Sequence, residues 1–149
     1  MSGDLRDLYQ QLVFDHYKRP RNHHALDDAT HHAEGHNPLC GDEVTVWLDV
    51  ADDVVRNVGF EGGGCAIATA SASLMTEAIK GRPVAEVQRI FDEFHRMVTG
   101  KENGAHGDLG KLEALAGVRE FPVRVKCATL AWHTLHAALE RESKSVSTE

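Results

Sequence analysis

Three cysteines in unlike settings are the residues of this chain best suited to chemistry. Cys40 lies in Asn37-Pro38-Leu39-Cys40-Gly41-Asp42, a turn-forming stretch with a carboxylate two residues on. Cys65 follows Gly62-Gly63-Gly64, and Cys127 follows Phe121-Pro122-Val123-Arg124-Val125-Lys126. The Ala-rich run after Cys65 and the stretch from Ala128 to Arg141 both read as helical. Cys65 and Cys127 are therefore expected at helix N-termini, where open backbone N–H groups favour a thiolate. Zinc takes four ligands in tetrahedral geometry and prefers thiolate among them. Cys40, Cys65 and Cys127 supply three, and Asp42 is the best fourth. Gly41 lets the backbone bend until Cys40 and Asp42 face one point, and the glycines before Cys65 let the chain approach it closely. A second reading stands beside this one: free cysteine is among the most buried residue types, and Cys65 or Cys127 could be small core residues.

The elements that must bring these residues together are legible from periodicity. Leu5, Leu8, Leu12 and Val13, with Tyr9 and Tyr17, mark one face of a helix from about Asp4 to Tyr17, which Pro20 ends. Arg21 to Asn37 is polar and His-rich, a loop with a strand near Ala29–Glu34. Val44, Val46, Leu48 and Val50 alternate with Thr45, Trp47 and Asp49, and Val54 to Phe60 follows after a turn at Ala51-Asp52-Asp53. Together they predict an antiparallel hairpin. Ile67, Ala70, Leu74, Ala78 and Ile79 predict a helix ending near Gly81, and Pro83 starts another with Val84, Val87, Ile90, Phe91, Phe94 and Val98 inward. Gly100 to Gly110 reads as a connector, and Leu109, Leu112, Leu115 and Val118 as a short helix. Pro122 is expected to break the chain before a last helix from about Lys126 to Arg141. The predicted fold is α+β, a small antiparallel β-sheet packed against several helices on one side, in a single domain spanning 1–149 with a frayed tail over 143–149.

The chain has 149 residues and a net charge of -7, which argues against nucleic-acid binding because phosphate contacts need a basic face. No apolar run approaches the roughly 20 residues needed to span a bilayer, so no membrane partner is expected. The first residues lack a signal-peptide pattern, and the odd number of cysteines argues for ligand or catalytic thiols in a reducing, cytoplasmic setting. His23, His24, His31, His32 and His36 read as surface residues, and His133 and His136 as exposed or capping ones. Neither a Ser/His/Asp arrangement nor a phosphate loop is present.

Asn37-Pro38-Leu39-Cys40-Gly41-Asp42, Gly63-Gly64-Cys65-Ala66-Ile67-Ala68 and Val125-Lys126-Cys127-Ala128-Thr129-Leu130-Ala131-Trp132 resemble the three cysteine motifs of the IscU/NifU-like iron–sulfur cluster assembly family. Leu8-Tyr9 and the run Asp15 to Asn22 resemble the start of that family. Lys126 stands where IscU-type members carry His, Gly100 to Gly117 resembles the insertion of SufU-type members, and Arg124 matches a basic residue of theirs. The resemblance is thus nearest the SufU type. It implies a zinc site of Cys40, Asp42, Cys65 and Cys127 and a SufS-type cysteine desulfurase as partner. It also implies a sulfurtransferase-like carrier in which Cys40, on a glycine-flanked loop, takes persulfide sulfur while Arg124 steadies the charge. Two alternatives remain: a scaffold that builds a [2Fe–2S] cluster and hands it to iron–sulfur acceptor proteins, and a structural zinc domain used only for protein contacts.

Overall fold

The computed structural model describes residues 2–38, 41–100, 109–140 and 146–147. Four α-helices and a sheet alternate along the chain as α1 (Ser2–Lys18), β1 (His31–Asn37), β2 (Asp42–Ala51), β3 (Val54–Gly63), α2 (Ala66–Ile79), α3 (Val84–Thr99), a 3-10 helix (Gly110–Glu120), α4 (Pro122–Leu139) and β4 (Val146–Ser147). The expected α+β fold is present.

The sheet order is β3-β2-β1-β4. β1, β2 and β3 pair antiparallel, with Asn37 opposite Asp42 and Glu43 opposite Gly63. The β2–β3 hairpin closes through Asp52 and Asp53, both at positive φ (54° and 60°). Such a two-residue loop follows the right-handed twist of the strands, and Asp tolerates this conformation better than bulky residues do. The tail differs from expectation in one respect. Val146–Ser147 runs parallel to β1, so part of 143–149 is paired and the sheet is mixed; 143–145 and 148–149 lie outside the described residues.

Inward residues of the strands, Val44, Val46, Leu48, Val58 and Phe60 among them, are buried, and α2 and α4 cover that face. α2 is buried on nearly all sides from Ala68 to Thr76. Its Ala and Ser residues let the neighbouring helices approach closely. Ser71 Oγ donates to Ala128 O (2.6 Å) and accepts from the indole of Trp132 (3.1 Å), and Trp132 stacks on Phe94 at 4.4 Å. The polar groups are satisfied, so their burial carries no open penalty.

One boundary and one buried face differ from the sequence reading. α4 starts at Pro122, not near Lys126: the proline occupies the first turn, where its missing N–H costs nothing. Arg141, the expected end of that helix, and residues 101–108 of the expected connector lie outside the described residues. On α1 the inward stripe is Tyr9, Leu12, Val13 and His16, whereas Leu8, Phe14 and Tyr17 are exposed. His16 takes a core position because α2 offers it a partner: its Nδ1 lies 2.6 Å from Ser73 Oγ. That hydroxyl accepts the Arg21 backbone N–H (2.8 Å), and His16 Nε2 lies 3.5 Å from the Glu77 carboxylate. Asn22 Nδ2 donates to Thr76 Oγ1 (3.0 Å), and Arg21 binds Asp15 (2.6 Å), a bond that holds the Asp15 carboxyl below the usual range. The run Asp15 to Asn22 therefore fastens α1 and the chain after it onto α2.

The segment 110–120 forms eleven residues of 3-10 helix, longer than such helices usually run. Its sequence accounts for this. Leu109, Leu112, Leu115 and Val118 recur every three residues, and all four are buried. Only a winding of three residues per turn keeps them on one edge.

Candidate metal centre

The end of the sheet, the start of α2 and the second turn of α4 meet at one point. Asp42 opens β2 and is fully buried. Its Oδ1 accepts the backbone N–H of Cys65 (2.9 Å), and its Oδ2 lies 3.6 Å from Cys65 Sγ. Cys65 is the N-cap of α2, with extended φ and ψ, and its Sγ accepts the Ala68 N–H at 3.4 Å. An N-cap side chain ordinarily offers oxygen to these open donors; here sulfur takes that place. Gly64 makes the closeness possible. It sits at φ +135°, and a Cβ there would collide with Asp42 Oδ1.

Cys127 is buried, 3% exposed. It is the sixth residue of α4 and not its first, a correction that follows from the earlier helix start at Pro122. Backbone N–H groups at that depth are engaged within the helix. Its sulfur instead accepts from the side-chain amide of Asn37, with Nδ2 at 3.9 Å. Ligand atoms of Asp42, Cys65 and Cys127 all lie within 4.8 Å of one another, although the residues are up to 85 positions apart (127 − 42 = 85). Cys40 lies outside the described residues. Gly41, which follows it, is described, and its N–H donates to Asn37 O (2.9 Å).

The donor set fits zinc. With Zn–S near 2.3 Å and Zn–O near 2.0–2.2 Å, the edge of a tetrahedron between sulfur and oxygen is about 3.5 Å, and the Cys65–Asp42 separation is 3.6 Å. Two thiols and a carboxylate, each an anionic ligand when metal-bound, are a costly grouping in a protein interior unless a cation compensates them.

Arg124 precedes Cys127 by one helical turn and is exposed. Its guanidinium lies over the Phe121 ring at 4.7 Å. Phe121 and Arg124 border a cleft of about 790 Å³ that runs past Ile67, Leu115, Tyr9 and Phe14. Leu8, Phe14, Tyr17, Phe121 and Val123, all large and apolar, are exposed on α1 and around the start of α4.

From the sequence, Asn37 reads only as part of a turn. The signal that identifies it is positional: β1 alternates buried and exposed, and Asn37 is an inward residue, a polar amide where an apolar side chain would be expected. Among the described residues, the histidines take no part in the converging group. His32 and His36 are exposed on β1 as expected, whereas His31 is inward and bonded to Thr30 Oγ1 (2.7 Å). His133 and His136 are half-buried with His95 around the ring of Phe91, not exposed. Burial, then the neighbouring His95 and His136, push the pKa of His133 down. No helix among the described residues is long and apolar enough to cross a membrane.

Comparison with known proteins adds a family to this geometry. Residues 8–144 match the model of the NifU-like N terminal domain. The zinc-dependent sulfurtransferase SufU of Bacillus subtilis (strain 168) is 43% identical over 141 residues, 95% of this chain and 95% of its own. The iron–sulfur cluster assembly scaffold protein IscU of Streptococcus pyogenes serotype M1 is 42% identical over 141 residues, 95% of this chain and 88% of its own. Among solved structures, a candidate cluster assembly scaffold for the SUF system from Fervidobacterium islandicum AW-1 superposes with a TM-score of 0.82. It is 34% identical and covers 90% of this chain and 98% of its own.

Proposed function

The chain belongs to the NifU-like N-terminal domain family, which includes IscU and SufU, and from that premise we propose that it is an iron–sulfur cluster assembly protein acting as a zinc-dependent sulfur acceptor. The observation that carries this reading is the convergence of Asp42, Cys65 and Cys127 within 4.8 Å, with Cys40 two residues before Asp42 in the sequence. Zinc, when bound by Cys40, Asp42, Cys65 and Cys127, keeps the thiols deprotonated and shields them from oxidation. The sulfur donor is a cysteine desulfurase of the SufS type that presents a persulfide. The Cys40 thiolate attacks the outer sulfur, and a new S–S bond forms on Cys40. The old S–S bond breaks, and its electron pair leaves with the donor cysteine as thiolate. Asp42 holds the Cys65 N–H and stays in place, while Arg124 lends positive charge near the reacting sulfur. Recipients of the sulfur are iron–sulfur acceptor proteins or their assembly machinery, and the setting is the reducing cytoplasm.

The experiment is metal analysis beside a desulfurase rate assay, on protein purified with and without oxygen. About one zinc per chain, no iron and a faster desulfurase support the reading. The scaffold reading is favoured by the IscU name of a relative nearly as similar to this chain, 42% identical against 43%. Iron and acid-labile sulfide recovered only without oxygen, with no rate increase, would replace the first reading by the second.

A further inference from the structure

We propose that Asn37 is a positioning residue of this centre: its side-chain amide donates to Cys127 Sγ and lowers the reactivity of that ligand thiolate. Cys65 and Cys127 differ in what their backbones can offer. Cys65 caps α2 and rests on the open N–H of Ala68 at 3.4 Å. Cys127 lies inside α4, where the helix uses its own N–H groups. Asn37 supplies from β1 what the start of a helix supplies to Cys65, an N–H aimed at sulfur. Donation to a charged acceptor is the stronger class of hydrogen bond; it draws charge off the sulfur and lowers its nucleophilicity.

Three connections meet in this one residue. Its amide faces Cys127, its backbone pairs in register with Asp42, and its carbonyl accepts the Gly41 N–H. Asn37 is fully buried at an inward position of β1, where a leucine would avoid the cost of desolvating an amide. The inference deepens the sulfur-acceptor reading, yet its readouts need no desulfurase, so either can fail while the other stands.

The test compares the full-length chain with Asn37→Leu and Asn37→Gln, each loaded with Zn²⁺ or Co²⁺. Limited alkylation followed by peptide mass mapping reads which cysteine reacts. In the wild type, Cys127 is labelled slowly. In Asn37→Leu its labelling rate rises by about tenfold or more, as expected for loss of a bond to a charged group, and the sulfur-to-cobalt charge-transfer band moves to lower energy. Asn37→Gln, which keeps the donor, recovers part of both effects. A merely structural role would not move the cobalt band. If Asn37→Leu does not fold, the wild type loaded with ¹¹³Cd decides, because an amide proton bonded to a metal-bound sulfur shows scalar coupling to the metal. Unchanged labelling and band position in a metal-retaining Asn37→Leu overturn the proposal. So do the lack of that coupling where the variant does not fold, and failure of the wild type to bind Zn²⁺ or Co²⁺.

Discussion

Gly64→Ala separates the geometry of the centre from general backbone strain. The residue sits at φ +135°, and an added Cβ meets Asp42 Oδ1, with Asp42 Cα and Cγ at 3.1 and 3.2 Å behind it. The Asp42 side chain has no room to retreat, since it is fully buried and fixed by the Cys65 N–H. Strain in this backbone region costs about 1–3 kcal/mol, and loss of a buried bond to a carboxylate about 1.5–3 kcal/mol. The sum, about 2.5–6 kcal/mol, is a large share of the 5–15 kcal/mol typical of a domain. Displacing a ligand or its supporting bonds further weakens metal affinity by about 10–100-fold. Gly81→Ala is the control: φ is +83°, yet nothing lies within 4 Å of the added carbon, so only strain of about 1–3 kcal/mol is expected. The assays are chelator competition for Zn²⁺ and thermal unfolding of both variants. Gly64→Ala should lose affinity and stability, and Gly81→Ala only stability. Equal zinc affinity in the two variants would refute the claim that glycine is required there to admit the Asp42 carboxylate.

Cys40→Ala should abolish stimulation of a cysteine desulfurase while circular dichroism stays unchanged; full stimulation removes Cys40 as acceptor. Asp42→Ala should lower zinc occupancy in metal analysis, and unchanged content takes Asp42 out of the ligand set. Leu115→Ala, at a site 1% exposed in the 3-10 helix, should cost about 2–5 kcal/mol in denaturant unfolding; a cost below about 1 kcal/mol would show that this edge is not seated in the core. The pKa values of His16 and His133 are both lowered, first by burial, from an ordinary value of 6.5. The unfolded chain therefore binds more protons below that pH, and stability should fall as pH drops through about 6.5 toward the folded-state values. Melting temperatures measured across this window should decline, and less steeply in His133→Phe; an identical slope would exclude His133 from the effect.

Much of this architecture was legible because burial repeats with the period of the backbone. The alternation of Val44 to Val50 gave β2 its inner face, and the jump to helical spacing after Ala66 gave α2. α1 was rotated by one position in the reading because apolar character alone selected Leu8 and Tyr17 over His16. A buried histidine needs a partner from elsewhere in the chain, here Ser73, and a hydropathy pattern holds no record of partners. Pro122 reads as a break because proline interrupts helix interiors, whereas in the first turn it fits. That error moved Cys127 to a helix start and hid its need for a donor. The cysteines and Asp42 stood out as ligand types, but Asn37 acts through its place at the inward end of β1, which becomes visible only when the strand's register is known.

The three-residue winding of 110–120 also sets a rule for length. Eleven residues of 3-10 helix reach about 22 Å, and the same residues wound as α would reach about 16 Å. In the α form each residue turns the chain by about 100°, so Val118 would end on the side opposite Leu109. The segment cannot be rewound without unseating one of its ends. Length variants that add or remove three residues keep the buried edge in phase, while a change of four, harmless on an ordinary amphipathic helix, would turn part of it into solvent.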